Sequence, residues 1–396
     1  MPHDALCPNA FAGTDAQRIN QALQAALGTG RPVVIPRRNR AADGERDLWL
    51  LDEAILVPGD SVLELNNCHL KLSDRCRDNF LRSANCGVGM SDIQPLRGIH
   101  IYGVGNVLLE GADHPRATGD SGKTLGERTY GTDAAVAGES QTGDWRNIGL
   151  LMAYVEDFSI RNLTFKDSHC WAISLERCAH GTLRDLDFTS SEHKVIDGVE
   201  ETILNQDGVD LRLGCHDIII ENITGYTGDD LVALTAIPQR EHVSGALQST
   251  MVSGVRPAGE GCDDIRQVFI RNVRGYCRGG HHIVRLLNTP GSRMYDIVVD
   301  GLIDTSPAWM RCRAAVKIGD VHYGDGMATM GDTSRIVVNN VISRSEHTIM
   351  IGGPVSDSVI SNVIRFDQPG EVVSLVAGPE ALQRVTLSNL RVAGEE

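Results

Sequence analysis

A short unit recurs through this chain and restricts it to a repetitive β architecture: alternating apolar residues followed by Asn and another apolar residue. Copies stand at Ile160 to Leu163, Ile218 to Ile223, Val268 to Val273, Ile336 to Val341, Val359 to Val363 and Val385 to Leu390. Looser copies run through Leu183 to Leu186 and Ile297 to Leu302. The anchors Asn162 and Asp185, Asn340 and Asn362, and Asn362 and Asn389 lie 22 to 27 residues apart, a period expected of one supersecondary unit per repeat. Alternation such as Ile218-Ile220 has the period of a strand, and the Asn or Gly that follows suits a sharp bend. A leucine-rich repeat would need a Leu-heavy consensus with regular helical half-repeats, and both are missing. The pattern predicts an all-β fold, a right-handed single-stranded parallel β-helix.

A solenoid coil cannot bury its inward face alone, so the stack needs several coils and a covered end. Residues 10–36 read as that N-terminal cap. Thr14 or Asp15 can cap a helix carrying Ile19, Ala22, Leu23, Ala26 and Leu27 on one face, with Gly28 or Gly30 ending it. Val33-Val34-Ile35 follows as the first strand. Residues 1–396 are read as one domain, because a solenoid accommodates such a length through neighbour packing alone. Two weakly patterned stretches, about 111–147 and 238–263, are expected to be loop insertions, either walls of a cleft or surface excursions.

Ten cysteines are scattered without a Cys-x-x-Cys pair, which argues against a zinc module. The first residues show no basic segment followed by an apolar one, so no secretory signal is visible, and no run is long enough to span a bilayer. A cytoplasmic protein with reduced thiols is expected, or a secreted one if a leader has been removed. The formal charge of -15 argues against a nucleic-acid partner. Oligomeric state is not legible.

Polar residues break the repeat in one region. Asn205-Gln206-Asp207-Gly208 is followed by Gly228-Asp229-Asp230, then by Gly280-His281-His282, then by Lys317. Taken singly, Asp and Gly are ordinary turn residues. Taken together on stacked coils, they predict a charged row of carboxylates, imidazole and ammonium, suited to sugar-bond hydrolysis by paired acids. Arg285 and Arg313 belong to a run of basic residues beside this row. Trp171 is either a platform for a sugar ring or a core residue, and Trp145 raises the same choice.

The order Ser168 to Ile173, Asn205 to Asp210, Gly228-Asp229-Asp230, Gly279-Gly280-His281 and Val316-Lys317 resembles that of the polygalacturonase-like glycoside hydrolases, family 28, of the pectate-lyase-like superfamily. The resemblance implies an inverting, metal-independent glycosidase with no cofactor, acting on an oligo- or polysaccharide that can be pectic. It implies that Asp229 protonates the leaving oxygen, that Asp207 and Asp230 hold and deprotonate water, and that His281 shares a proton with the acid. Lys317 would then hold a substrate oxygen or carboxylate. Beside what the resemblance implies, Asn205, His282, Trp171, and Arg285 and Arg313 in place of an arginine that this chain lacks, are read as further substrate contacts. Two departures bear on the sugar. Where family members have Gly-His-Gly this chain has Gly280-His281-His282, and where they have Arg-Ile-Lys it has Ala315-Val316-Lys317, without the arginine that forks onto a uronate carboxylate. Because adjacent strand residues point to opposite faces, bringing Asp229 and Asp230 together calls for a bulge near Gly228. A lyase or epimerase on the same scaffold, often calcium-dependent, and a non-catalytic carbohydrate-binding β-helix are the alternatives.

Overall fold

The structure is a computed structural model describing residues 4–76, 78–86, 93–113, 147–191, 193–196, 198–203, 205–238, 259–320, 326–367 and 369–394. Most of the two expected loop insertions, and Trp145, lie outside the described residues. The described residues form two compact units, one ending at Gln206 and the other running from Asp207 onward. In the first unit, strands Val33–Pro36, Ser61–Asn66, Leu96–Val104, Val155–Lys166 and Ala179–Thr189 pair in parallel, as do Ile55–Val57, Leu81–Ser83, Leu150–Ala153 and Ile173–Glu176. In the second, long strands His216–Thr227, Ile265–Cys277, Met294–Asp304, Thr333–Ser343, Val355–Arg365 and Leu382–Val392 make one parallel sheet. Shorter strands Val209–Leu211, Val232–Ala236, His282–Asn288, Ala314–Ile318, His347–Ile351 and Val373–Leu375 make the other. Both units have the coil-on-coil construction of a parallel β-helix.

The predicted repeat is the register of these sheets. Ile218, Val268, Ile297 and Ile336 fall in one column, and Ile220, Ile270, Val299, Val338 and Ile360 in another, all buried. The Asn that closes each copy is where the strand bends. Asn222, Asn272, Asn340, Asn362 and Asn389 hold φ between 49° and 57°, the left-handed region that Asn enters at less cost than most side chains. Their amides then run up the stack: Asn272 donates to Asn222 at 2.6 Å, Asn362 to Asn339 at 2.8 Å and Asn389 to Asn362. These bends lie at the surface, and the bonds tie each one to the neighbouring coil.

The N-terminal helix spans Asp15–Ala26, with Thr14 as its N-cap in a capping box with Gln17. Ile19, Ala22 and Leu23 are buried as expected, whereas Leu27 is the C-cap and is exposed, because the chain leaves the helix before that residue can reach the core. Asn20 ties the helix to the second sheet, donating to the Ala54 carbonyl and accepting from the Leu56 amide. Asp15 anchors the same end from inside. Its buried carboxylate accepts from Arg18, Arg46, Asn39 and the Leu50 amide. Burial alone would raise its pKa, but these donors, Arg18 foremost, hold it below the usual carboxylate value.

Removing one partner of a buried ion pair strands the other charge, so Asp15→Ala is expected to destabilise the capped end by about 3–5 kcal/mol. Asp15 has a depressed folded-state pKa, so its contribution is present above the unfolded carboxylate value and fades as pH falls through the folded one. Thermal melts of both proteins at neutral and strongly acid pH check this: the gap should narrow in acid, and an equal gap at both pH values would contradict it.

Candidate active site

In the second unit, register alone builds a row of functional side chains. Asp210, Ala233, Arg285, Lys317 and Met350 are successive partners across the short strands. On either side of that row lie columns of core residues, Val209, Val232, Val284 and Val316 before it and Leu211, Leu234, Leu286 and Ile318 after it, all fully buried. Side chains alternate across a strand, so the row turns to the face opposite the core. Successive strands are about 4.8 Å apart, which spaces the row on the scale of a sugar unit.

The acidic residues stand where strands give way to bends. Asp229 and Asp230 lie between His216–Thr227 and Val232–Ala236, outside any strand. The bulge expected near Gly228 is therefore a correction: alternation does not govern a bend, and the two carboxylates reach different partners without one. Thr227 holds the bend by donating its hydroxyl to the Asp229 carbonyl at 2.7 Å. The Asp230 amide donates to Asp229 Oδ1 at 2.8 Å. On the neighbouring coil, the Gly208 amide donates to the Asp230 carbonyl at 2.9 Å, which sets Asp207 beside the pair. A Cβ at Gly208 would stand 2.4 Å from the Leu231 carbonyl oxygen, so only glycine permits this approach.

The two neighbouring aspartates have divergent environments. Asp230 is buried, and its Oδ1 accepts from both the amide and the ring Nδ1 of His282 at 2.8 Å, while Oδ2 faces Arg285 at 3.3 Å. Burial raises the pKa of this carboxyl, but the charge and hydrogen bond of His282, then Arg285 and His281, outweigh it and keep Asp230 ionised far below the usual carboxylate range. Asp229 is more accessible and lies 2.6 Å from His281 Nδ1. Both of its contacts fall on Oδ1, and Oδ2 takes no hydrogen bond among the described residues. Burial lowers the His281 pKa, yet the hydrogen bond and charge of Asp229, with Asp230 behind it, leave it raised, against an opposing contribution from Arg278. Arg278 donates to His281 Nε2 at 3.4 Å.

Of the expected residues, Asp229, Asp230, His281, His282 and Arg285 meet in one cluster, and Lys317 joins it through Asp320, whose carboxylate accepts from its ammonium and lies 3.6 Å from Arg285. His282 was expected to touch substrate; its side chain is instead buried against Asp230. Arg313 contributes backbone, donating its amide to the His281 carbonyl at 2.8 Å. Asn205, with φ 54°, and half-buried Trp171, whose carbonyl accepts from Gly149, belong to the other unit. Asp210 and Asp320 had no place among the expected site residues, while Arg278, the first of the basic run expected beside the carboxylates, reaches His281. Asp210 closes the Asn205 to Asp210 motif and is fully buried, and burial with the nearby charges of Asp230 and Asp229 lifts its pKa well above the carboxylate range despite Arg212. Its signal was visible as a charged residue alternating with Val209 and Leu211. Asp320 carries no pattern of its own. As for metals, Asp229, Asp230 and His281 each offer one donor atom, all within 4.8 Å of one another.

Residues 124–250 match the family described as glycosyl hydrolases family 28. The matched span includes Asp207, Asp229 and Asp230 and ends before His281 and Lys317. Among solved structures, the endo-xylogalacturonan hydrolase from Aspergillus tubingensis is similar with a TM-score of 0.60 and 14% identity, over 98% of this chain and 93% of that one. A hyperthermoactive exopolygalacturonase from Thermotoga maritima has a TM-score of 0.54 and 12% identity over 100% and 93% of the two chains. The family 28 exopolygalacturonase of Yersinia enterocolitica has 0.52 and 13% over 99% and 79%. No curated protein matches in sequence. At such identities the structural likeness establishes the parallel β-helix, while the family match over residues 124–250 agrees with the resemblance read from the three motifs that fall within that span.

The site makes a titration testable. Among the imidazoles, His281 should titrate above the ordinary histidine value of about 6.5 in proton NMR, and Asp229→Asn should bring it down by removing the charge and hydrogen bond that raise it. An unmoved His281 pKa would mean that Asp229 does not share a proton with it.

Proposed function

We propose that this chain, whose residues 124–250 match the family described as glycosyl hydrolases family 28, hydrolyses a glycosidic bond of an oligo- or polysaccharide with inversion at the anomeric carbon. The observation that carries the reading is the contrast between two adjacent carboxyl groups. One, Asp230, is kept anionic by His282 and Arg285; the other, Asp229, sits on an imidazole with a raised pKa. Environments that drive neighbouring titratable groups apart are what acid and base roles require.

In this mechanism the Asp229–His281 pair holds one dissociable proton below the raised His281 pKa, and Asp229 delivers it to the glycosidic oxygen as the bond to the anomeric carbon breaks. Water attacks that carbon from the opposite face, and Asp207 takes the proton it loses. Asp230 is too strongly stabilised as an anion to be an effective base. Its fixed charge instead orients the water and favours the positive charge that develops on the sugar ring. His282, by clamping Asp230 through two donors to one oxygen, positions that charge. The sugars named for the similar structures, xylogalacturonan and polygalacturonate, make pectic saccharides the first substrates to try.

One observation favours a second reading, a lyase or epimerase: the Asp229, Asp230 and His281 donor atoms lie close enough to hold a cation. The two readings part on products. With a panel of pectic oligosaccharides, hydrolysis should release a reducing end of inverted configuration, followed by NMR, and Asp229→Asn should lower the rate on the order of a hundredfold or more with an unchanged melting temperature. The wild-type rate should fall as pH rises through the raised His281 pKa, because the proton to be donated is then lost. Retained configuration, a product with ultraviolet absorbance from a new double bond, or activity abolished by a chelator and restored by calcium would refute inverting hydrolysis.

A further inference from the structure

We propose that Asp320 is a specificity-determining residue, and that it reserves the subsite held by Arg285 and Lys317 for a sugar unit bearing hydroxyl groups rather than a carboxylate. The inference rests on the glycosidase reading and names the class of sugar that reading leaves open. Arg285 and Lys317 are register partners on adjacent strands, in the row that faces away from the core, so their cationic heads arrive side by side. That would be a fitting receptor for a uronate, were it not already answered from within the chain. Arg285 lies 3.3 Å from Asp230 Oδ2 and 3.6 Å from Asp320 Oδ2, and the Lys317 ammonium donates to the same Asp320 oxygen.

Two cations, Arg285 and Lys317, thus already face two carboxylates, Asp230 and Asp320, with His282 on the far side of Asp230. A substrate carboxylate entering here would add a third negative charge beside two existing ones in a partly dry site, where like charges are poorly screened. A pair of neighbouring hydroxyls meets no such penalty. One can accept from Lys317 or Arg285 while the other donates to Asp320, the complementary pattern for a neutral sugar. Ala315 is consistent with this, since the position that would carry a forked donor for a carboxylate holds a methyl group.

Asp320 is also held in place. Gly319, at φ 74°, turns the chain back after Lys317, and its amide donates to the Leu286 carbonyl at 2.8 Å. A Cβ on Gly319 would lie 2.7 Å from Gly353 Cα, and one on Gly353 would lie 3.2 Å from the Asp320 amide nitrogen. Two coils therefore interlock through glycines at this turn, which fixes the carboxylate over Lys317 instead of leaving it to swing aside. The Asp320 side chain keeps 14% exposure and Arg285 17%, enough for both to meet a ligand.

The test compares α-linked trigalacturonate with its carboxyl-reduced, neutral counterpart, binding each to full-length protein carrying Asp229→Asn so that neither is consumed. With Asp320 present, the neutral trisaccharide should bind more tightly. Adding Asp320→Asn should shift the ratio of the two dissociation constants toward the acid by about tenfold or more, the scale of one removed like-charge contact, and Asp320→Glu should preserve the parental preference. Circular dichroism confirms that each variant is folded. Tighter binding of the acid by the Asp320 protein, or a ratio that Asp320→Asn leaves unchanged in a folded variant, overturns the inference while leaving hydrolysis intact. If neither trisaccharide binds and the wild type cleaves no saccharide at all, the glycosidase reading itself fails and this inference with it.

Discussion

Everything in this protein depends on the parallel hydrogen-bond ladder between successive coils. It requires that each coil present its next apolar residue at the same register position as the last, and that the backbone turn at the same place each time. Both demands are met locally. Isoleucine, valine and leucine stack in columns, and Asn residues at the bends take the left-handed conformation and hydrogen-bond to polar side chains of the neighbouring coil. Stability of this kind is a sum over neighbours, so the non-core face is free to carry residues that contribute nothing to packing. The charged row of Asp210, Arg285 and Lys317 occupies that freedom.

On that face the protein sorts identical side chains by their surroundings. Asp210, Asp229, Asp230 and Asp320 are chemically one group, yet burial pushes the proton affinity of Asp210 up, and His282 and Arg285 pull that of Asp230 down. Lys317 loses proton affinity through burial, although Asp320 partly restores it. The partner for each carboxylate comes from the next coil or a nearby turn rather than from its own strand: His281 and His282 for the aspartate pair, Arg285 for Asp230. A cluster assembled from stacked coils can thus be tuned one coil at a time, and the His282 that replaces a glycine of the resembled motif illustrates it.

Much of the fold was legible because the repeat is a statement about register. A column such as Ile220, Ile270, Val299 and Val338 appears in the sequence as periodicity before it appears in space. The helix boundary at Leu27 was less legible, since apolar character extends one residue past the point where the chain turns away. Asp229, Asp230 and His281 were readable from motif order, and they do converge. His282 and Asp320 were harder: His282 answers Asp230 from the next coil, and Asp320, though only three residues past Lys317, stands at a turn that no repeat marks. Asp210 lay inside a motif already singled out and was passed over because alternation marks it only as facing away from the core, not as enclosed.

Gly208 carries a consequence for how such a protein can change. Its Cα lies so close to the Leu231 carbonyl that no side chain fits, and its amide is what joins the Asp207 segment to Asp230. Substitution there would displace two of the proposed catalytic carboxylates at once, so selection for activity would discard it whatever the sugar. The Gly319–Asp320 turn is connected differently: its carboxylate faces the side chains of Arg285 and Lys317. Lineages derived from this scaffold would therefore diversify at Asp320 while the Asp207–Asp230 junction and the interlocked Gly319 stayed frozen, and an artificial library aimed at new saccharides is best centred on Asp320.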